Sequence, residues 1–251
     1  MQKFHLKNAE TEKDTRPDFF RIAISVDCVI FSYDKKKLKV LVYESDFEEY
    51  AGLWALIGDL VQPEEDLEEA PNRILRERAG LQNVYMEQVY TFGHVDRHPA
   101  GRVITTAYYS LIDFKAHKLP HIETNLHWHE VGDIQKMAFD HREILNTCLQ
   151  RLREKIMEQP IVFNLLPQKF SLRELQDLYE AILGVDLDRR NFRKRVMLKN
   201  WLVDLNEMEE DVPHRPGKLY KLKNQLKNSA RSSQMKKEKI SASTAAVSST
   251  G

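Results

Sequence analysis

The chain has 251 residues, 42% hydrophobic and 30% charged, enough apolar mass for one large globular core or two modest ones. No run approaches the roughly 18 apolar residues of a membrane span, the polar start MQKFHLKNAETEKD lacks the apolar core of a secretory signal, and the two cysteines, Cys28 and Cys148, leave no Cys-rich zinc spacing and fit a reducing, cytoplasmic compartment. The formal charge is zero but unevenly placed: residues 1–160 carry 21 Lys and Arg against 27 Asp and Glu, and residues 161–251 carry 17 against 11, so an acidic front module and a basic back module that could meet a polyanion are expected.

Residues 1–17 read as a flexible lead. RIAISVDCVIFSY (21–33) is rich in β-branched and aromatic residues, and KKKL turns it into a second strand, LKVLVYES (38–45). VYMEQVYTFG (84–93) and RVITTAYYSLIDF (102–114) are two more strand candidates, separated by HVDRHPAG with its Pro and Gly punctuation. GDLVQPEEDLEEAPNRILRERAGL (58–81) is an acidic loop running into a helix, and HREILNTCLQRLREKIME (141–158) is a second amphipathic helix. The mixture is α+β. After Gln159-Pro160 the character changes. In FSLRELQDLYEAILG (170–184), Ser171 and Glu174 have capping-box spacing, Gly184 stands at the C-cap, and Leu172, Leu175, Leu178, Tyr179 and Ile182 form a stripe. Asp188 is a plausible N-cap for RRNFRKRVMLKN (189–200), and WLVDLNEMEEDVPHRPGKLYKL reads as strand, charged turn, strand. Two helices followed by a hairpin is the order of a winged helix-turn-helix. From Asn224 onward the chain is Lys, Ser, Ala and Thr with almost no large apolar residue, the composition of a disordered tail.

Residues 54–81 resemble the Nudix box, the loop-helix whose glutamates hold a metal ion in Nudix hydrolases. Carboxylates three and four apart share a helix face, and a hard Mg²⁺ ion needs several oxygens to grip a pyrophosphate. Anchored on Gly80-Leu81, the family arginine falls on Arg73 and the three acidic positions on Ile74, Glu77 and Arg78. Anchored on Gly58, Glu64 is kept, Asn72 takes the arginine position, and the acids become Arg73, Arg76 and Glu77. Neither register restores three carboxylates. Arginine stays protonated and cannot ligate Mg²⁺, and a proline inside the helix, Pro71, is costly unless the helix starts there. A scaffold without catalytic residues, metal or cofactor is therefore expected.

The basic helix carries the other signal. Such runs are usually solvated faces, but with Phe192 and Val196 buried, Arg190 and Lys194 fall opposite them and Asn191 and Arg193 on the flanks. These residue types read base edges and grip phosphates. Arg189 suits the flanking DNA backbone, and Arg215 and Lys218 the wing. YTFGHVDRHPAGRVITTAYYSL (90–111), LQDLYEAILGVDLDRRNFRKR (175–195) and RPGKLYKL (215–222) make the chain similar to the Nudix-related transcriptional regulators of the NrtR-like group. The resemblance implies an N-terminal Nudix-like α/β/α sandwich over 18–158, a winged helix over 159–223, and residues 224–251 as a tail. It also implies a cytoplasmic homodimer on a pseudo-palindromic double-stranded operator, released when a small effector binds, and no membrane partner. Branches that keep the box respond to ADP-ribose or a relative. A branch with decayed boxes resembles regulators of pentose use, so the expected effector is a sugar such as L-arabinose.

Smaller signals locate that effector. Asp27 lies inside an apolar strand, suited equally to backbone hydrogen bonds and to sugar hydroxyls. The loop HVDRHPAGR (94–102) resembles the family's substrate-facing segment, which nominates His94, Asp96, Arg97 and His98; Gln88 and Trp54 could line the same pocket, with core packing the commoner duty for Trp54. His121, His127 and His129 are close in sequence, but zinc lacks an obvious further ligand. The rival reading is an active hydrolase of ADP-ribose-like nucleoside diphosphates with an accessory nucleic-acid-binding domain; a purely structural partner protein is disfavoured by the phased basic face.

Overall fold

The computed structural model describes residues 22–113, 125–210, 212–213 and 215–223. The expected N-terminal lead and C-terminal tail, and His121 and His214, lie outside the described residues. Contacts divide the chain into two units. Of the described residues, one holds those up to Phe31, Val40–Ser110 and 125–151; the other holds Ser32–Lys39, 111–113 and those from Leu152 onward.

A seven-stranded sheet organises the N-terminal half. β1 (Ala23–Asp34), β2 (Lys37–Glu44), β3 (Trp54–Ala55), β4 (Ile57–Leu60), β5 (Glu87–Phe92), β6 (Val103–Leu111) and β7 (Leu126–Glu130) contribute, with β3-β2-β1-β6-β5 as the main path, β4 on β1 and β7 on β2. Successive strand residues point to opposite faces, yet β1 is buried at every position from Val26 to Ser32. Both faces of the sheet are therefore covered at its centre. β1 and β4 run antiparallel with Val26 opposite Asp59 and Asp27 opposite Gly58.

Two helices accompany the sheet. α1 (Ala70–Ala79) begins only after the acidic stretch, so Pro71 stands in its first turn, where a missing N–H costs nothing. The mid-helix penalty expected for Pro71 does not arise. Gly80, at φ 64°, ends the helix in the left-handed conformation, with its N–H on Arg76 O at 3.1 Å and the Leu81 N–H on Leu75 O at 3.1 Å. α1 buries Ala70, Pro71, Ile74, Leu75 and Ala79. α2 (His141–Ile156) follows β7.

The second unit holds β8 (Phe170–Ser171), α3 (Leu172–Leu183), α4 (Arg189–Leu198), β9 (Leu202–Met208) and β10 (Lys218–Leu222), with strand order β8-β10-β9. The capping box forms: Ser171 Oγ accepts from the Glu174 N–H at 3.3 Å and Glu174 Oε2 accepts from the Ser171 N–H at 2.8 Å. Gly184 closes α3 at φ 74°, and Asp188 accepts the Asn191 N–H at 2.8 Å at the head of α4. Leu175, Leu178, Tyr179 and Ile182 are buried as their spacing predicts, while Leu172 is only half-buried. Phe192 meets Tyr179 at 5.2 Å between ring centres, which fixes α4 on α3 by its apolar side. Among the described residues no helix is long and apolar enough to cross a membrane.

Candidate functional site

The geometry of α1 chooses between the two registers of the box. Arg73 Nε and Nη2 donate to Glu65 Oε1 and Oε2 at 2.7 and 2.9 Å, Nη2 also reaches Leu60 O at 2.8 Å, and Nη1 reaches Glu77 Oε2 at 3.2 Å. Arg73 thus makes a fork-to-fork clamp between the acidic loop and the helix, at the arginine position of the register anchored on Gly80, while Glu64 is exposed. The Arg73 hydrogen bond holds Glu65 below the usual carboxylate range, and Glu65 in turn holds Arg73 well above its ordinary value. The register anchored on Gly80 is the one that folds.

The three acidic positions are then Ile74, Glu77 and Arg78. Ile74 is fully buried and offers no donor. Glu77 faces Arg73 at 3.2 Å and Arg76 at 3.5 Å. Arg78 Nη2 donates to Asp59 Oδ2 at 2.7 Å. These residues do not fit a divalent cation: one carboxylate remains, and it is compensated by guanidinium groups. No group of three His, Cys, Asp or Glu suited to a metal occurs among the described residues.

Beside the box lies a buried charged cluster. Asp27 Oδ2 accepts from Thr105 Oγ1 at 2.7 Å and from Arg97 Nη2 at 3.5 Å. Arg97, with a side chain only 3% exposed, also forks onto Asp140 through Nε at 2.8 Å and Nη2 at 2.7 Å. His141 Nδ1 accepts the Leu56 N–H at 3.0 Å, so its proton sits on Nε2, 3.5 Å from Asp27 Oδ1. Burial holds the His141 pKa below the ordinary histidine value, which agrees with this neutral tautomer. Gly58 admits the arrangement, since a Cβ there would lie 2.3 Å from Asp27 Oδ1 and 2.8 Å from Val26 O. Asp27 thus ties strand β1 to a buried charged cluster.

An aromatic wall adjoins the cluster. His98 stacks on Phe139 at 5.0 Å and 8°, Tyr50 lies 4.5 Å from Phe139, and Phe47 meets His98 at 5.8 Å and Phe139 at 5.5 Å. All four rings are half-buried, and Phe139 holds φ 52°, a rare conformation for a bulky residue. Burial, then the Arg97 charge, lowers the His98 pKa. Loops carrying stacked rings, a strained residue and convergent charges are the usual ingredients of a small-molecule site.

Of the sequence-nominated effector residues, Asp27, Arg97 and His98 come together here. His94 and Asp96 are exposed, and the His94 carbonyl accepts from Arg102 Nη1 at 3.0 Å. Gln88 faces Tyr108, whose hydroxyl is 3.3 Å from its Oε1. Trp54 is half-buried and meets His129 at 4.1 Å in a tilted contact and His127 edge-on at 5.5 Å, so it is not a pure core residue. Thr105, Asp140 and His141 escaped sequence reading; the one clue was that an arginine drawn inside must find carboxylates.

In the second unit, Arg189, Arg190, Asn191, Arg193 and Lys194 are exposed while Phe192 and Val196 are buried. The outward face of the first two turns of α4 is cationic apart from Asn191. A concavity between α3, α4 and the wing is lined by Arg173, Arg189, Arg193, Arg215 and Lys218 with Glu209. Lys218 is tied to Asp204 at 2.8 Å, which raises its pKa, and Glu209 accepts the Gly217 N–H at 2.8 Å, which shapes the wing.

The family model of the NUDIX domain matches residues 21–148, and that of the NrtR DNA-binding winged helix domain matches residues 162–222. The ADPR responsive transcriptional repressor NtrR of Acinetobacter baylyi is 33% identical over 212 residues, 82% of this chain and 84% of that protein. The chain belongs to the NrtR-like family of Nudix-fused winged-helix transcriptional regulators. The NrtR-like architecture extends to solved structures: Shewanella oneidensis NrtR complexed with a 27mer DNA superposes with a TM-score of 0.69 at 30% identity, over 80% of this chain and 93% of that one. The Nudix part of this NrtR-like chain also resembles an ADP-ribose pyrophosphatase of Methanocaldococcus jannaschii, at 27% identity over 51% of this chain and 73% of that protein.

Proposed function

We propose that this chain is a transcriptional repressor that grips operator DNA with α4 and the wing, and whose Nudix domain binds an ADP-ribose-type effector without hydrolysing it. The observation that carries the reading is the phase of α4: every polar residue of its first two turns faces outward, and Phe192 and Val196 pin the opposite side. One ten-residue reading helix per chain matches half of a two-fold operator, so two copies on a pseudo-palindromic site in the cytoplasm are part of the proposal. Effector binding alters DNA affinity only insofar as the effector prefers one of the two states.

The decayed box alone pointed to a free sugar such as L-arabinose. The relative at 33% identity is named for ADP-ribose instead, and the effector proposed here follows it. The absence of hydrolysis follows from Ile74 and Arg78, which remove two of three metal carboxylates. The hydrolase reading is favoured only by the more distant pyrophosphatase likeness; turnover of ADP-ribose with Mg²⁺, abolished by Glu77→Gln, would establish it.

Arg190→Ala and Lys194→Ala each weaken operator binding by about 1–3 kcal/mol. Where the lost contact is a phosphate, the slope of log affinity against log salt falls by about 0.9. Fluorescence anisotropy over a salt series reads both. Unchanged affinity and slope in both variants would remove α4 from the interface.

A further inference from the structure

Residues four apart on a helix share a face, and α4 carries two such cationic pairs. Arg190 and Lys194 form one. Arg189 and Arg193 form the other, and both line the concavity between α3, α4 and the wing. Arg173, in the first turn of α3, lines the same concavity from the neighbouring helix. We infer that Arg173, Arg189 and Arg193 together clamp one phosphate of the DNA backbone, a grip that is blind to base sequence. This rests on the reading of the winged helix as the DNA-binding part, and adds to it a contact from α3.

What separates this cluster from a solvated basic face is that its charges converge and go unanswered. Among the described residues, the side chains of Arg173, Arg189 and Arg193 make no hydrogen bond or ion pair. The nearby carboxylates are committed elsewhere. Glu180, whose charge reaches Arg189, accepts from the Gln176 amide at 2.8 Å and the Leu187 N–H at 2.9 Å. Glu209, the acid in the lining, accepts the Gly217 N–H at 2.8 Å, and Glu174 accepts the Ser171 N–H in the capping box at 2.8 Å. Lys218 is tied to Asp204 at 2.8 Å, and the Arg193 charge pushes against it.

Like charges drawn together repel, and an anion entering between them relieves the repulsion. Guanidinium forks match phosphate oxygens in shape as well as in charge. The three arginines are exposed, whereas the aromatic part of the lining, Phe192 and Tyr220, is buried. The charge is therefore presented at the surface, where a duplex backbone reaches it and a small ion stays hydrated. Arg190 and Lys194 stand one residue further round the same helix, so one approach of the duplex engages both pairs of α4: one on the backbone, the other turned to the groove.

The test is fluorescence anisotropy of the full chain over a salt series, on a DNA site it selects from a random pool and on an unrelated duplex. Arg173→Ala is expected to weaken binding to both about tenfold and to lower the salt slope on both by up to about 0.9. Replacing single phosphates of the selected site with methylphosphonate locates the partner: at one position the neutral linkage weakens wild type but adds nothing to Arg173→Ala. Thermal melting certifies that the variant is folded. Wild-type affinity and slope in Arg173→Ala, or additive losses at every phosphate, overturn the clamp and leave the DNA-binding reading standing. A loss confined to the selected site makes Arg173 a base reader and overturns it as well. A variant that keeps wild-type DNA binding but loses a thermal shift on adding inorganic phosphate assigns the cavity to a free anion instead. No binding of either duplex by wild type overturns the DNA-binding reading and the clamp with it.

Discussion

Arg97→Ala is expected to lower the unfolding free energy by about 3–5 kcal/mol, the usual cost of breaking a buried ion pair from one side. The wild-type guanidinium is only 3% exposed and sits between two carboxylates, 2.7 Å from Asp140 and 3.5 Å from Asp27. Truncation strands both acids. Asp140 is 16% exposed and recovers some water, but Asp27 is 7% exposed and keeps only Thr105 and the Nε2–H of neutral His141. The penalty is therefore the desolvation of unpaired charge rather than the loss of one attractive contact. Urea denaturation at pH 7 measures it. A loss below about 1 kcal/mol would mean the cluster is hydrated and belongs with surface ion pairs.

Ile74→Glu restores the first acidic residue of the Nudix pattern, and is expected to damage the protein. Ile74 is fully buried on the face of α1 that also carries Leu75 and Ala79. An ionised carboxylate there, without a partner, costs far more than a neutral polar group would, so the introduced glutamate protonates, leaves its acid group without a hydrogen-bond partner at about 2–7 kcal/mol, and forfeits the isoleucine packing. Urea melts of Ile74→Glu alone and with Arg78→Glu separate the alternatives. If the double variant gains stability on adding Mg²⁺, the box is a hydrolase site two substitutions from function. The account expects no such rescue, because the first position has been absorbed into the core.

Local chemistry made much of this legible. The ends of α3 and α4 follow from Ser171, Glu174, Gly184 and Asp188, whose effects act within a single turn. The buried stripe of α4 follows from Phe192 and Val196, four residues apart. What periodicity could not supply was long-range. The register of the box stayed open between Gly58 and Gly80 until Arg73 was seen to clamp Glu65, eight residues back across a loop. Asp27 draws partners from 70 and 78 residues away, Arg97 and Thr105, and no strand pattern encodes them. β8 escaped because its two residues are held by β10, through Leu219 opposite Ser171 and Tyr220 opposite Phe170. Gln88, nominated for the same pocket, is held by a partner 20 residues away, the Tyr108 hydroxyl on the neighbouring strand.

The central claim is that one chain reports an ADP-ribose-type ligand to DNA without consuming it. It is tested most directly by fluorescence anisotropy on a DNA site selected by this protein from a random-sequence pool, titrated with ADP-ribose or L-arabinose in EDTA, with the nucleotide quantified afterwards. The account predicts that ADP-ribose releases the DNA, is recovered intact, and that arabinose has no effect. Release by arabinose alone, or release by ADP-ribose only as it is hydrolysed with Mg²⁺ added, would contradict it.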